Sequence, residues 1–147
     1  MGTLLDTTVF IELERSIRRL PTASAMDRVS ERLEEQLDPA EEVGIAAITA
    51  SELLHGVHRA SPEHRARREI FVEGVLAAFP PIAFDLLAAR AHARLWADLA
   101  SAGTDVGAHD RLVAATAIAA GWRVGTANIR HFERIPGLAV VVVDMTN

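Results

Sequence analysis

The sequence predicts an α/β fold built around a mainly parallel sheet. Three observations carry this. Short apolar runs alternate with helix-length amphipathic segments. Caps and breakers, rather than long linkers, separate them. The isolated polar residues fall where strands end and the next helices begin, which is where open parallel sheets place their ligand crevice. The 147 residues suit one compact domain, residues 1–147, with no internal repeat.

Thr3 to Asp6 reads as the first strand, and a helix follows from about Thr7 with Val9, Phe10 and Leu13 on one side. Pro21 helps to end that segment. Val29, Leu33 and Leu37 recur at four-residue spacing among charges and make a second helix, stopped near Pro39. Val43 to Ile48 makes the second strand. Thr49 to Glu52 has the spacing of a capping box, opening a helix through Leu53, Leu54 and Val57. Ser61 and Pro62 start the next helix, with Ile70, Val75 and Phe79 as its apolar contacts and Pro80 and Pro81 as its stop. Ile82 to Phe84 is a short strand. Asp85 caps a helix whose inner face is read as Leu87, Ala91, Leu95 and Leu99, ending at Gly103. After the loop from Thr104 to His109, Asp110 stands near the start of an Ala-rich helix ending at Gly121. Trp122 to Thr126 and Leu138 to Val143 are the closing strands.

Composition narrows the chemistry. Half of the residues are apolar and 24% are charged, which is globular and neither disordered nor collagen-like. The net charge is −5, so no whole-chain basic field draws the protein to nucleic acid, and RNA contact has to be local. Cysteine is absent, which excludes thiol catalysis, disulfides and cysteine-ligated metals. Lysine is absent too, excluding Schiff-base chemistry and a Walker A loop. The apolar start is interrupted by Asp6 and lacks a basic leader, and no apolar run is long enough for a bilayer, so a cytoplasmic protein without membrane attachment is expected.

Asp6 ends the first strand, Glu52 follows the second, Asp110 opens a later helix and Asn128 follows the Trp122 to Thr126 strand. Separate crossovers thus deliver oxygen ligands to one edge. Gathered carboxylates raise one another's pKa, and a cation is the simplest way to stabilise them. Oxygen-only ligands favour Mg2+ or Mn2+; zinc would need scattered histidines. Such an ion leaves positions for phosphate oxygens and an attacking water, which is the chemistry of phosphodiester hydrolysis with one or two metals. Each residue also has a plain structural reading. Asp6 could be a helix cap, Glu52 a capping-box partner, Asp110 a first-turn acid favoured by the macrodipole, and Asn128 a turn residue.

The segments Leu4-Leu5-Asp6-Thr7-Thr8-Val9-Phe10-Ile11, Ser51-Glu52-Leu53-Leu54-His55-Gly56, Gly107-Ala108-His109-Asp110-Arg111-Leu112-Val113-Ala114-Ala115 and Thr126-Ala127-Asn128-Ile129-Arg130-His131-Phe132 carry a resemblance. In this order and at this chain length, the protein resembles PIN-domain ribonucleases, specifically VapC toxins of type II toxin-antitoxin systems. The resemblance implies a PIN-like three-layer α/β/α fold with a mainly parallel central sheet. It further implies a Mg2+- or Mn2+-dependent endoribonuclease that forms a homodimer and is held inactive by a cognate antitoxin. Asp6, Glu52 and Asp110 take the places of the metal-binding, catalytic acids. Thr8 supports the first of them, with Thr126 and Asn128 as further supporting residues. Many members carry a fourth acid where this chain has Asn128. An amide adds no charge, so a second tightly held metal is in question.

Arg111, Arg130 and Arg134 flank the proposed metal edge and are the RNA-binding candidates, since a guanidinium fork suits phosphate oxygens. Arg59, Arg65, Arg67 and Arg68 read as a solvated helix face. Of six histidines, His109 is the one placed to reach a phosphate, and Asp105 reads as a loop acid. Trp96 and Trp122 read as core. A haloacid-dehalogenase-like phosphatase is disfavoured because Thr8, not an acid, stands two residues after Asp6, and a receiver domain because no lysine exists. The remaining alternative is a non-catalytic PIN-like module that binds RNA or protein.

Overall fold

The structure, a computed structural model, describes residues 1–18 and 22–146. Five strands form one sheet: β1 (Gly2–Leu5), β2 (Glu42–Ala46), β3 (Pro81–Ile82), β4 (Arg123–Thr126) and β5 (Val140–Val142). Six α-helices connect them: α1 (Thr7–Ser16), α2 (Thr22–Gln36), α3 (Ala47–Arg59), α4 (Pro62–Ala78), α5 (Leu86–Ala102) and α6 (Ala108–Ala120), with a short 3-10 helix at Ile129–His131. The strand order is β3-β2-β1-β4-β5, and every pairing is parallel. The expected α/β class with a parallel sheet is what the chain adopts.

Side chains of adjacent strand residues point to opposite faces, and this alternation builds two cores. Leu5 packs with Val9, Phe10, Leu13, Val29, Phe71 and Val75 of α1, α2 and α4, whereas Leu4 packs with Leu95 and Leu99 of α5 and Val113 and Ala117 of α6. The sheet is therefore the middle of three layers. Small residues at Ala114, Ala115 and Ala117 bring α6 close to its neighbours, and all three are fully buried. Both α5 and α6 end on a glycine in the left-handed region, Gly103 at φ 66° and Gly121 at φ 71°. The following amides of Thr104 and Trp122 close back onto the Leu99 and Ala117 carbonyls.

Several elements start or face differently from the sequence reading. Asp6 is not the last strand residue but the N-cap of α1. α3 begins at Ala47, so Ile48 is helical and not in β2, and Thr49 lies inside the helix with its hydroxyl buried and unpartnered. The capping box at Thr49 and Glu52 does not form, because the amides it would cap already belong to the helix interior. Ser61 precedes α4 as expected, but its hydroxyl bonds His64 Nδ1 instead of capping a backbone amide. Ile70 is 59% exposed, and Phe71 and Val72 take its place in the core. Leu87 is likewise 65% exposed, while Ala88 turns inward. These are single-residue rotations of a helical face, which period alone resolves poorly where alanines and leucines mix. β3 is only Pro81–Ile82, shorter than expected, and Phe84 lies beyond it. The expected role of Pro21 lies outside the described residues. Among the described residues, no helix is long and apolar enough to cross a membrane.

The order of strands reverses direction between β1 and β4, since the chain builds β2 and β3 on one side of β1 and β4 and β5 on the other. That is a topological switch point, where the loops after neighbouring strands diverge and open a crevice.

Candidate active site

Asp6 sits directly at that switch point. Its Oδ1 accepts from the Thr8 amide at 3.2 Å and the Thr8 hydroxyl at 2.5 Å, and its Oδ2 accepts from the Thr126 hydroxyl at 2.9 Å. The Thr8 hydroxyl in turn accepts from the Ala127 amide at 3.0 Å. One carboxylate is thus fixed by the start of α1 and the end of β4 together. It is 3% exposed.

Glu52 reaches the same edge from the second turn of α3, where its Oε1 accepts from the Thr7 hydroxyl at 2.8 Å. Its Oε2 lies 3.5 Å from His109 Nδ1. Since no capping box forms, Glu52 has no structural duty at its own helix terminus. Asp110 enters from the first turn of α6, and its Oδ2 lies 3.6 Å from His131 Nδ1.

These acids feel one another. Burial pushes the Asp6 carboxyl above its ordinary value, opposed by the Thr8 and Thr126 hydrogen bonds and reinforced by the charge of Asp110. Burial also pushes Asp110 up, with the nearby Glu52 charge adding to the rise and His131 and His109 opposing it. Asp110 is therefore in the field of both other acids. Three crossovers bring the carboxylates to one edge of the sheet, and burial raises the cost of leaving Asp6 and Asp110 charged.

A hard divalent cation fits this donor set by its chemistry: oxygen ligands, negative charge in excess, and two carboxyls already destabilised as anions. Among the described residues, no three His, Asp or Glu side chains close on a single point. Ligation partly through water, which Mg2+ favours, suits that spacing better than a fully protein-made cage.

The comparisons with known proteins give the family. The family model described as PIN domain matches residues 3–138. The chain belongs to the PIN-domain family, among the VapC ribonucleases. Ribonuclease VapC1 of Rickettsia felis is 34% identical over 144 residues, covering 97% of each chain. Ribonuclease VapC of Rickettsia bellii is 32% identical, covering 99% of this chain and 98% of its own. Among solved structures, DNA-bound VapBC from Salmonella typhimurium superposes with a TM-score of 0.79 at 29% identity, covering 98% of this chain and 99% of the matched one.

Within this PIN domain the other candidates divide. Thr8 and Thr126 hold Asp6, as described. Asn128 is exposed, and its Oδ1 accepts from the Arg130 amide at 3.2 Å, capping the 3-10 helix. Its side chain does the work of a turn residue. Arg111 is not free at the edge: one guanidinium nitrogen donates to the Val106 carbonyl at 2.6 Å, and Cζ stands 5.4 Å from the Trp96 ring centre. Arg130 and Arg134 are exposed on the segment after β4, and Asp105 is an exposed loop residue.

Two neighbours of the acids were not read from the sequence. Thr7 is one, because Asp6 appeared to need only one hydroxyl; a helix start places consecutive residues about 100° apart, so Thr8 turns to Asp6 and Thr7 to α3. His131 is the other, brought to Asp110 by the 3-10 turn that Asn128 caps. The arginine stretch is also not a plain solvated face. Arg65 caps the end of α3 at the Ala60 carbonyl (3.0 Å), and Arg68 pairs with Glu14 at 2.7 Å. Trp122 packs partly buried against β1 and β2 at Gly2 and Gly44, but Trp96 is 55% exposed and not core.

Proposed function

We propose that this PIN domain, spanning residues 1–147, hydrolyses RNA phosphodiester bonds with Mg2+ or Mn2+ as the toxin of a type II toxin-antitoxin module. Convergence of Asp6, Glu52 and Asp110 on the switch-point edge of a VapC-family chain carries this reading. Asp6, Asp110 and Glu52 would hold the ion, which supplies a polarised phosphoryl oxygen and a water of lowered pKa.

The chain's own residues prepare that chemistry. Thr8 and Thr126 keep Asp6 from rotating and favour its charged form against burial. Thr7 orients Glu52 so that one carboxylate oxygen is committed while the other lies beside His109. His109 and His131 lie beside Glu52 and Asp110, where a protonated imidazole would moderate the negative charge an RNA phosphate meets. The exposed Arg130 and Arg134 are the candidates for holding the RNA backbone.

An antitoxin partner is supported by the Salmonella neighbour, solved as VapBC. A cytoplasmic location suits an enzyme whose substrate is RNA. The test is cleavage of total RNA by the purified chain with Mg2+, with a chelator, and with Asp6→Asn, which keeps an N-capping side chain. Cleavage only by the unaltered protein with metal supports the reading; metal-independent cleavage, or full activity of the variant, refutes the metal role. Co-expression with a neighbour-encoded protein that binds the chain and stops cleavage supports the toxin reading.

A further inference from the structure

Helix α6 starts without a side chain to cap it. Its N-cap is Gly107, and Asp110 occupies the third helical position. An acid there can reach back to the N-cap amide and steady the first turn. Asp110 does not: what acts on its carboxyl is burial and the charges of His131, Glu52 and His109, with no backbone hydrogen bond among them. An acid that serves the edge is not free to cap its own helix, so the start of α6 has to be held by another residue.

The fourth helical residue does this. The Arg111 guanidinium reaches back over the first turn and donates to the Val106 carbonyl at 2.6 Å, just before the N-cap, while the Arg111 amide donates to the Gly107 carbonyl at 3.0 Å. Val106 is itself anchored, buried with Leu95 and Leu99 of α5 and Val113 of α6. The Arg111 Cζ stands 5.4 Å from the Trp96 ring centre, so the same side chain also ties α6 to α5. Its Nε is buried without a hydrogen-bond partner, which marks a conformer set by these contacts and not by solvent. Gly107 lies so close to the site acid that a Cβ built on it comes within 3.4 Å of Asp110 Oδ2. The loop that Arg111 ties down is thus the one that borders the Asp110 carboxylate. Arg111 acts there through the backbone, since its charge is not among those that act on Asp110.

We propose that Arg111 is a positioning residue for RNA cleavage: by tying Val106 to the first turn of α6, it fixes the place from which Asp110 reaches the acidic edge. The inference rests on the ribonuclease reading and replaces an expected RNA contact with a role inside the fold. Asp110 is the adjacent residue of the same turn, so a shift of that turn carries Asp110 with it, and a misplacement of about 1 Å can lower a rate by about a hundredfold.

The test uses Arg111→Met, which keeps the apolar stem and cannot donate, and Arg111→Lys, which can still make the one hydrogen bond. Cleavage of total RNA with Mg2+ is followed against RNA concentration. Mn2+ binding to the protein without RNA is read from the electron paramagnetic resonance of the free ion. Arg111→Met is expected to lower kcat by about tenfold or more and to weaken Mn2+ binding by about tenfold, the range for residues that orient metal ligands, with KM for RNA unchanged. Arg111→Lys is expected to restore most of both. A raised KM, with kcat and Mn2+ binding unchanged, overturns the proposal and makes Arg111 an RNA contact. All three unchanged in a folded Arg111→Met also overturn it, whatever the melting temperature does. If Arg111→Met does not fold, Arg111→Gln is held to the same outcomes, and a chain that unfolds under both substitutions overturns the proposal as well. An unaltered protein that cleaves no RNA removes the ribonuclease reading, and the proposal with it.

Discussion

The Thr7 hydroxyl donates to the Glu52 carboxylate across 2.8 Å, joining the first residue of α1 to the second turn of α3. Two crossovers that leave the sheet at neighbouring strands are thereby held in register at the edge where the acids meet. A hydrogen bond to a charged group contributes about 1.5–3 kcal/mol, so its loss is felt in catalysis if Glu52 must be oriented. Thr7→Val is expected to lower RNA cleavage by roughly tenfold or more and to lower the melting temperature as well, and Thr7→Ser to restore most of both. Cleavage unchanged in Thr7→Val would show that Glu52 needs no orientation.

Asp110 offers a cleaner separation of stability from activity. Its carboxyl is pushed up by burial and by the Glu52 charge, so at neutral pH its ionised form costs the fold stability. Asp110→Asn keeps the shape and removes that charge. The expected result is a melting temperature equal to or above that of the unaltered protein, together with loss of RNA cleavage. A folded variant with full activity would remove Asp110 from the catalytic set.

Much of the fold was legible because periodicity and punctuation agreed. Val9, Phe10 and Leu13, and Val29, Leu33 and Leu37, are buried as their spacing requires, and Asp85, Gly103 and Gly121 act at the helix ends where their chemistry suits them. The capping box misled because Thr49 and Glu52 have the right spacing while Ala47 and Ile48 have enough helix propensity and burial to start α3 earlier. Leu87 and Trp96 misled for another reason. Period places a residue on a stripe, but α5 has apolar residues beyond the stripe that faces α6, and only tertiary packing selects which one is covered. The arginines of α4 were read as solvated because carbonyl groups at the ends of other helices have no sequence signal.

Opposite the acidic edge, Arg123 binds both carboxylate oxygens of Glu41, at 2.9 and 2.8 Å, and Thr3 donates to the same carboxylate at 2.5 Å. The Arg123 hydrogen bonds hold the Glu41 carboxyl below its ordinary value. A depressed carboxyl contributes stability that is fully present above the unfolded value near 4.5 and is lost as pH falls through the folded one. Glu41→Gln should therefore lower stability by about 1 kcal/mol at pH 7, a partly exposed arginine limiting the gain. That difference should stay flat down to the ordinary glutamate range and shrink below it in urea titrations at successive pH values. A gap that persists undiminished well below that range would assign the effect to lost packing.

The acidic edge has the opposite sign, and this predicts how the fold answers to a cation. Asp6 and Asp110 are both pushed up, so what each contributes is present below the unfolded value and is lost as pH rises through the folded one. Their charged forms come at a cost, and a cation that binds only the folded arrangement offsets it, raising stability with the logarithm of its concentration. Mg2+ should raise the melting temperature at pH 7, Mn2+ should do so at lower concentration as ligand affinity rises along the divalent series, and sodium chloride of equal ionic strength should do much less. Asp110→Asn should remove most of the Mg2+ response while Glu41→Gln, at the far edge, keeps it. An equal Mg2+ response in Asp110→Asn and the unaltered protein would mean that the cation binds elsewhere, because no other change at Asp110 leaves a shared ligand set intact.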